Sequence, residues 1–167
     1  MSLSHKTCAT GAAPQLSPRE VRSLLCRARL LQRAALDGSN PRPLRGKNLG
    51  LVCETPPDEA QALFRSAAEE LGAQVALMRP GLSLASAQME VQNTARMLGR
   101  LYEAVECQGL NPEIVQRMGQ YAGIPVFNGA ATNTHPIERL AGLLGDSTPL
   151  ADNRRFLLQA LLLDAIA

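Results

Sequence analysis

Apolar residues recur along this chain with two spacings. Val21, Leu24, Leu25, Ala28, Leu31 and Leu36 follow the spacing of one helix face. Ser17-Pro18-Arg19-Glu20 precedes them: Ser17 can cap, Pro18 suits the first helical position, and Glu20 completes a capping box. Asp37-Gly38-Ser39-Asn40-Pro41 ends this first helix. Leu49-Gly50-Leu51-Val52-Cys53 is a short unbroken apolar run and predicts a buried strand. Thr55-Pro56-Pro57-Asp58 predicts a helix start with Thr55 as its cap. The helix carries Ala60, Leu63, Phe64, Ala67, Ala68 and Leu71 on its apolar side and stops at Gly72. Val75-Ala76-Leu77-Met78 predicts a second strand, and a third helix runs from about Ser86 to Leu101. Ala104-Val105-Glu106-Cys107 predicts a third strand, and Asn111-Pro112-Glu113 opens a fourth helix ending near Gly123. Ile124-Pro125-Val126-Phe127 predicts a fourth strand. A fifth helix is expected over Pro136 to Leu144 and a sixth over Asp152 to Ile166.

Short apolar strands alternating with helices imply β-α-β units. The expected fold class is α/β: three layers, with a four-stranded, mostly parallel sheet between helices. Residues 16–167 are read as a single domain behind a flexible tail, 1–15, rich in Ser, Thr, Ala and Gly. Ligands in this architecture bind beyond the carboxyl ends of the strands. The loops Glu54–Asp58, Arg79–Ala85, Gln108–Pro112 and Asn128–Pro136 are therefore the places to look for a site.

Composition narrows the function classes. Lys and Arg number 17 against 15 Asp and Glu, which is too even for a dedicated nucleic-acid or membrane-surface protein. Aromatic residues make up only 3%, too few for a base-stacking platform. Arg19, Arg22, Arg27, Arg29 and Arg33 crowd the first helix and are read as a solvated face, with an anionic partner as the other reading. Cys8, Cys26, Cys53 and Cys107 show no metal-ligand spacing and the chain has two His, so neither a metal nor a cofactor is expected. No apolar run approaches the roughly 18 residues of a membrane span. No secretory signal is recognised at the start, so a cytoplasmic protein with reduced thiols is expected.

Familiar catalytic signatures are missing. There is no Walker A loop, no G-x-G-x-x-G and no G-x-S-x-G. Gly46-Lys47 lacks a preceding glycine-rich loop and reads as a turn. His5 lies in the tail. His135, before Pro136, is either a polarising imidazole or a local cap; spacing alone favours the cap.

Several stretches, taken together, resemble the aspartate/ornithine carbamoyltransferase family. Leu44-Arg45-Gly46-Lys47 stands before strand one and Glu70-Leu71-Gly72-Ala73 before strand two. Asn93-Thr94-Ala95-Arg96-Met97-Leu98-Gly99-Arg100 is similar to the family's D-T-A-R-V-L-G/S-R stretch. Tyr121-Ala122-Gly123-Ile124-Pro125-Val126-Phe127-Asn128-Gly129 is similar to its Y-A-G/S-I/V-P-V-x-N-G, and His135-Pro136 to its H-P. The resemblance covers about Leu16 to Leu144, and the ornithine branch is the nearer one. It implies the fold of the N-terminal carbamoyl-phosphate domain, without the second, amino-acid-binding domain. Asp152-Asn153-Arg154-Arg155 through Ile166 resembles the family's C-terminal helix, which returns to the first domain; an unrelated amphipathic closing helix is the other reading.

The departures from the family pattern bear on function. The family's Ser-Thr-Arg-Thr-Arg, whose arginines and helix start cradle a phosphate, falls on Pro57-Asp58-Glu59-Ala60-Gln61. Both arginines are replaced, and Asp58 and Glu59 put negative charge where a dianion would sit. The family arginine after strand three falls on Gln108, and the glutamine of H-P-x-Q falls on Glu138. Of the residues that hold the carbamoyl oxygen, His135 remains. The candidate ligand-binding residues are therefore Asp58, Glu59, Gln61, Gln108, His135 and Glu138, with no catalytic assignment and no metal.

The reading that follows is a degenerate, stand-alone carbamoyl-phosphate-type domain that has lost carbamoyl transfer and serves as a binding or regulatory module. A cationic or neutral ligand near Asp58, Glu59 and Glu138 is one form of it. Mixed assembly with a full-length carbamoyltransferase is another. The alternative is an active carbamoyltransferase completed by a partner chain that binds the amino acid. The resemblance implies a homotrimer.

Overall fold

The computed structural model describes residues 15–167; the predicted tail, with Cys8 and His5, lies outside the described residues apart from Gln15. Four strands form one parallel sheet: β1 (Asn48–Cys53), β2 (Gln74–Met78), β3 (Ala104–Gln108) and β4 (Val126–Asn128), in the order β2-β1-β3-β4. Helices α1 (Pro18–Leu36), α2 (Glu59–Glu70), α3 (Gln88–Leu101), α4 (Pro112–Ala122) and α5 (Leu150–Ile166) surround it, with a 3-10 helix at Pro136–Leu144. The α/β three-layer reading holds.

The sheet separates two cores. Leu49 and Leu51 of β1 pack with α2, α5 and the 3-10 helix on one face. Val52, Val105 and Cys107 pack with α3 and α4 on the other. The alternation of strand side chains produces this division. It also fixes the ligand position expected of the fold. The helices that follow β1 and β3 lie on opposite faces, so the point where this architecture places a ligand lies beyond the carboxyl ends of these two neighbouring strands.

Helix starts follow the local chemistry. Ser17 and Glu20 form the reciprocal capping box that opens α1, a device worth about 1 kcal/mol. Asn111 accepts from Glu113 N–H at 2.9 Å and opens α4. For α2 the expected cap is corrected. Asp58, not Thr55, caps it, in an extended conformation at φ −141°. The cause is Pro56-Pro57: a residue before proline is driven from the helical region, so the helix begins only after both.

Other boundaries move in the same way. The third helix begins at Gln88 rather than Ser86, and the last at Leu150 rather than Asp152. β4 covers Val126–Asn128, not Ile124–Phe127, because pairing with β3 starts at Val105↔Val126. The fifth element is 3-10 rather than α-helical. Its apolar set Ile137, Leu140, Ala141 and Leu144 satisfies either winding, so periodicity does not separate them.

Helix α5 is apolar around most of its circumference and is buried between α1, α2 and the 3-10 helix. Polar contacts fix its register. Arg27 pairs with Asp164 at 2.7 Å and Arg155 with Glu70 at 2.8 Å. The buried Asn153 amide donates to the Ala141 and Gly145 carbonyls at 3.1 and 3.0 Å. On the far face α3 and α4 cross so closely that a Cβ on Gly99 would lie 1.8 Å from the Ala122 carbonyl oxygen.

Candidate functional site

The ligand position beyond β1 and β3 is shaped by the first turn of α2. A helix start offers unpaired N–H groups and a positive dipole end, which suits an anion. Here the chain's own side chains meet that demand. Asp58 Oδ1 accepts from Gln61 N–H at 2.9 Å. Glu59, exposed, occupies the first helical position and adds a second negative charge. Each acid favours the helix dipole by roughly 0.3–1 kcal/mol.

Gln61 does not point outward as a ligand would need. It is 6% exposed. Its amide donates to the Pro56 carbonyl at 2.8 Å and to the Cys53 thiol at 3.0 Å, closing the β1–α2 loop over the end of β1. The Cys53 thiol also lies 3.0 Å from the Thr55 hydroxyl. Gln108 ends β3 beside Cys53 in register and is 3% exposed. Its amide donates to the Ala60 carbonyl at 3.2 Å, while its Oε1 is buried without a partner. Gly109 follows at φ +73°, where a Cβ would be 2.8 Å from a Thr55 methyl. The exits of β1 and β3 therefore pack directly against each other.

The second group of predicted residues lies on the 3-10 helix. His135 caps it, its Nδ1 accepting from Ile137 N–H at 3.3 Å. Burial pushes the imidazole down to about 4, so it is neutral at physiological pH with its proton on Nε2. Glu138 forms an ion pair with Arg154 of α5. These two residues, with Leu63 of α2 and the backbone at Ala130 and Ala131, border a crevice of about 10 Å³, too small for more than a water molecule.

The structure thus joins Asp58, Gln61 and Gln108 around one helix turn, with Glu59 on its outer side. His135 and Glu138 form a separate group on the 3-10 helix. Sequence reasoning missed two residues. Arg154 reaches Glu138 from a distant helix, a contact that no local spacing announces. Glu106 is the one charged residue of β3, set among Ala104, Val105 and Cys107, and that isolation was the available signal. It is fully buried, and its two carboxylate oxygens accept from Ala130 N–H at 2.9 Å and Ala131 N–H at 3.1 Å. Arg96, one of the two arginines of the Asn93–Arg100 stretch, stacks over the Tyr121 ring at 5.5 Å. Among the described residues no group of His, Cys, Asp and Glu could hold a metal ion, and no helix is long and apolar enough to cross a membrane.

A doubly wound α/β domain whose strand-end position at α2 is filled by its own side chains is the class that fold and site define. The family model for the aspartate/ornithine carbamoyltransferase carbamoyl-P binding domain matches residues 12–145, and the chain belongs to that family. The ornithine carbamoyltransferase of Haemophilus influenzae (strain PittGG) is 39% identical over 126 residues, 75% of this chain and 38% of that protein. The catabolic ornithine carbamoyltransferase of Pseudomonas putida is 37% identical over the same length and shares of both chains. The chain thus spans less than half the length of the curated relatives it matches. Among solved structures, ornithine carbamoyltransferase from Gloeobacter violaceus superposes with a TM-score of 0.59 at 28% identity, over 77% of this chain and 40% of that one. The enzyme from Burkholderia thailandensis superposes with a TM-score of 0.65 at 20% identity, over 77% and 44%.

Proposed function

We propose that this chain is a carbamoyltransferase-type domain that does not bind carbamoyl phosphate at α2 and acts as a binding or regulatory module. One observation carries the reading: the first turn of α2 is capped by Asp58, flanked by Glu59 and plugged by Gln61, where the family resemblance implies two phosphate-binding arginines. An oxyanion brought near Asp58 and Glu59 meets two like charges. At about 4 Å each costs on the order of 1–4 kcal/mol, depending on the effective dielectric. Two lost charge-assisted bonds remove roughly 1.5–3 kcal/mol each. A reaction that relies on preorganised positive charge is not supported by this set.

The pairing of Glu138 with Arg154 and the role of Asp58 as a cap leave Glu59 as the unpaired acid among the described candidates. A cationic ligand held by all three acids is therefore the weaker form of the proposal, and assembly with another chain the stronger. The exposed Met89, Met97 and Leu101 of α3 supply apolar surface for such assembly. The trimer implied by the family and a cytoplasmic location belong to the same proposal.

A second reading is an enzyme completed by a partner chain that supplies an amino-acid domain and the missing positive charge. The neutral His135 and the basic Arg154 favour it. Titration of the purified chain with carbamoyl phosphate, with inorganic phosphate as control, tests the first reading. Carbamoyl transfer to ornithine by lysate fractions that retain native partners tests the second.

A further inference from the structure

The Glu106 carboxylate is not used by the reading above, yet it occupies an unusual position. It lies in the middle strand pair, 0% exposed, paired with Leu51 and Phe127. Both oxygens accept backbone N–H groups of one loop, Ala130 and Ala131. That loop is a tight turn continued toward the candidate site. The Thr132 hydroxyl donates to the Gly129 carbonyl at 2.6 Å, and His135 N–H donates to the Thr132 carbonyl at 3.3 Å. The short backbone segment from Ala130 to His135, folded by these bonds, therefore joins Glu106 to the residue that caps the 3-10 helix.

We propose that Glu106 is a proton-linked latch: ionised, it grips the Ala130–Ala131 backbone with two charge-assisted bonds, and protonated, one of its oxygens becomes a hydroxyl and a poor acceptor, which loosens the loop that leads to His135. The step moves one proton from solvent to the carboxylate and breaks no covalent bond. Its balance is local. The charged form has two strong acceptors for two N–H groups. The neutral form keeps one full acceptor for two N–H groups, so one of the two bonds weakens. Burial pushes the Glu106 carboxyl up to about 7, against the N–H groups of Ala130, Ala131 and Gly129 and the Gln108 amide, which hold it down. The switch therefore falls within the physiological range.

Other titratable groups do not share this window. Cys107, next along β3 but on the opposite face, is pushed up to about 12 by burial and then by the Glu106 charge. Strand alternation puts Cys53 of β1 on the Glu106 face, and β4 carries no titratable residue. Behind Ala130 and Ala131, Glu138 and Arg154 neutralise each other. On α2, Arg65 pairs with Glu69 and Glu70 with Arg155 of α5, while Glu59 is exposed. His135, at the end of the loop, stays neutral above about 4.

Backbone amide exchange of Ala130, Ala131 and Thr132, corrected for intrinsic rate, tests the latch between pH 5.5 and 8.5. The expected result is opening about tenfold more frequent at the acid end, with the change lost in Glu106→Gln, which stays near the acid-end value throughout. An unchanged protection in the native chain, or the same change in Glu106→Gln, overturns the proposal. If Glu106→Gln does not fold, carboxyl-carbon NMR of the native chain decides. The Glu106 carboxyl and the Ala130 and Ala131 amides should then titrate with one midpoint near 7. A carboxyl midpoint near 4.5, or amides that do not follow it, overturns the latch equally.

Discussion

Returning arginines to the first turn of α2 should restore anion binding. The substitution pair is Glu59→Arg with Gln61→Arg, at the positions where the family resemblance implies them. Glu59 is exposed at the first helical position, so an arginine fits there without displacing core. The change replaces a repulsion by an attraction. At about 4–6 Å and an effective dielectric of 20–80, the swing is on the order of 1–8 kcal/mol, and the exposed position favours the lower part. Gln61→Arg adds a charged donor but gives up the amide's bonds to the Pro56 carbonyl and Cys53 thiol, which costs roughly 1–3 kcal/mol. That loss falls on folding stability, and the gain in binding expected is about 2–3 kcal/mol, or roughly 30- to 150-fold in affinity. Calorimetric titration with inorganic phosphate and carbamoyl phosphate reads it, with the thermal midpoint as a check on folding. A folded double variant that binds neither anion better than the native chain would refute the electrostatic argument.

Gly99→Ala should lower stability by about 1–3 kcal/mol and the thermal midpoint by several degrees, because the new methyl overlaps the Ala122 carbonyl. Calorimetric melting checks it, and an unchanged midpoint would contradict the close α3–α4 crossing. The His135 imidazole should titrate near 4 in NMR spectra; since its folded value lies below the unfolded one, its contribution to stability is present above pH 6.5 and lost as pH falls toward 4. Glu106 has the opposite sign: its folded value, about 7, lies above 4.5, so its contribution is full below pH 4.5 and lost as pH rises through 7. The two slopes oppose each other between about 4.5 and 6.5, so urea midpoints should fall from pH 6.5 to 8 in the native chain and stay level in Glu106→Gln.

The hydrophobic pattern made most of the architecture legible. Runs such as Leu49–Cys53 and Ala104–Cys107 are buried on both faces, and a strand between two helix layers has that composition. Ser17 and Asn111 announced their helices because capping is a local bond. The Thr55 assignment failed because two prolines set the backbone more strongly than the hydroxyl does. The 3-10 winding of Pro136–Leu144 escaped because both helix types bury the same apolar positions there. The acid-for-arginine replacement was visible as a pattern, but its meaning was not: that Gln61 turns inward, or that Glu138 has Arg154 opposite, depends on contacts between distant parts of the chain. Glu106 was invisible as a latch because its partners are backbone groups more than twenty residues away.

Isothermal titration of the native chain with carbamoyl phosphate, with inorganic phosphate as control, tests the central claim most directly. The closed α2 start predicts no saturable heat at millimolar ligand. Saturable binding in the micromolar range would contradict the account and would mean that other basic groups, Arg154 foremost, have rebuilt the anion site.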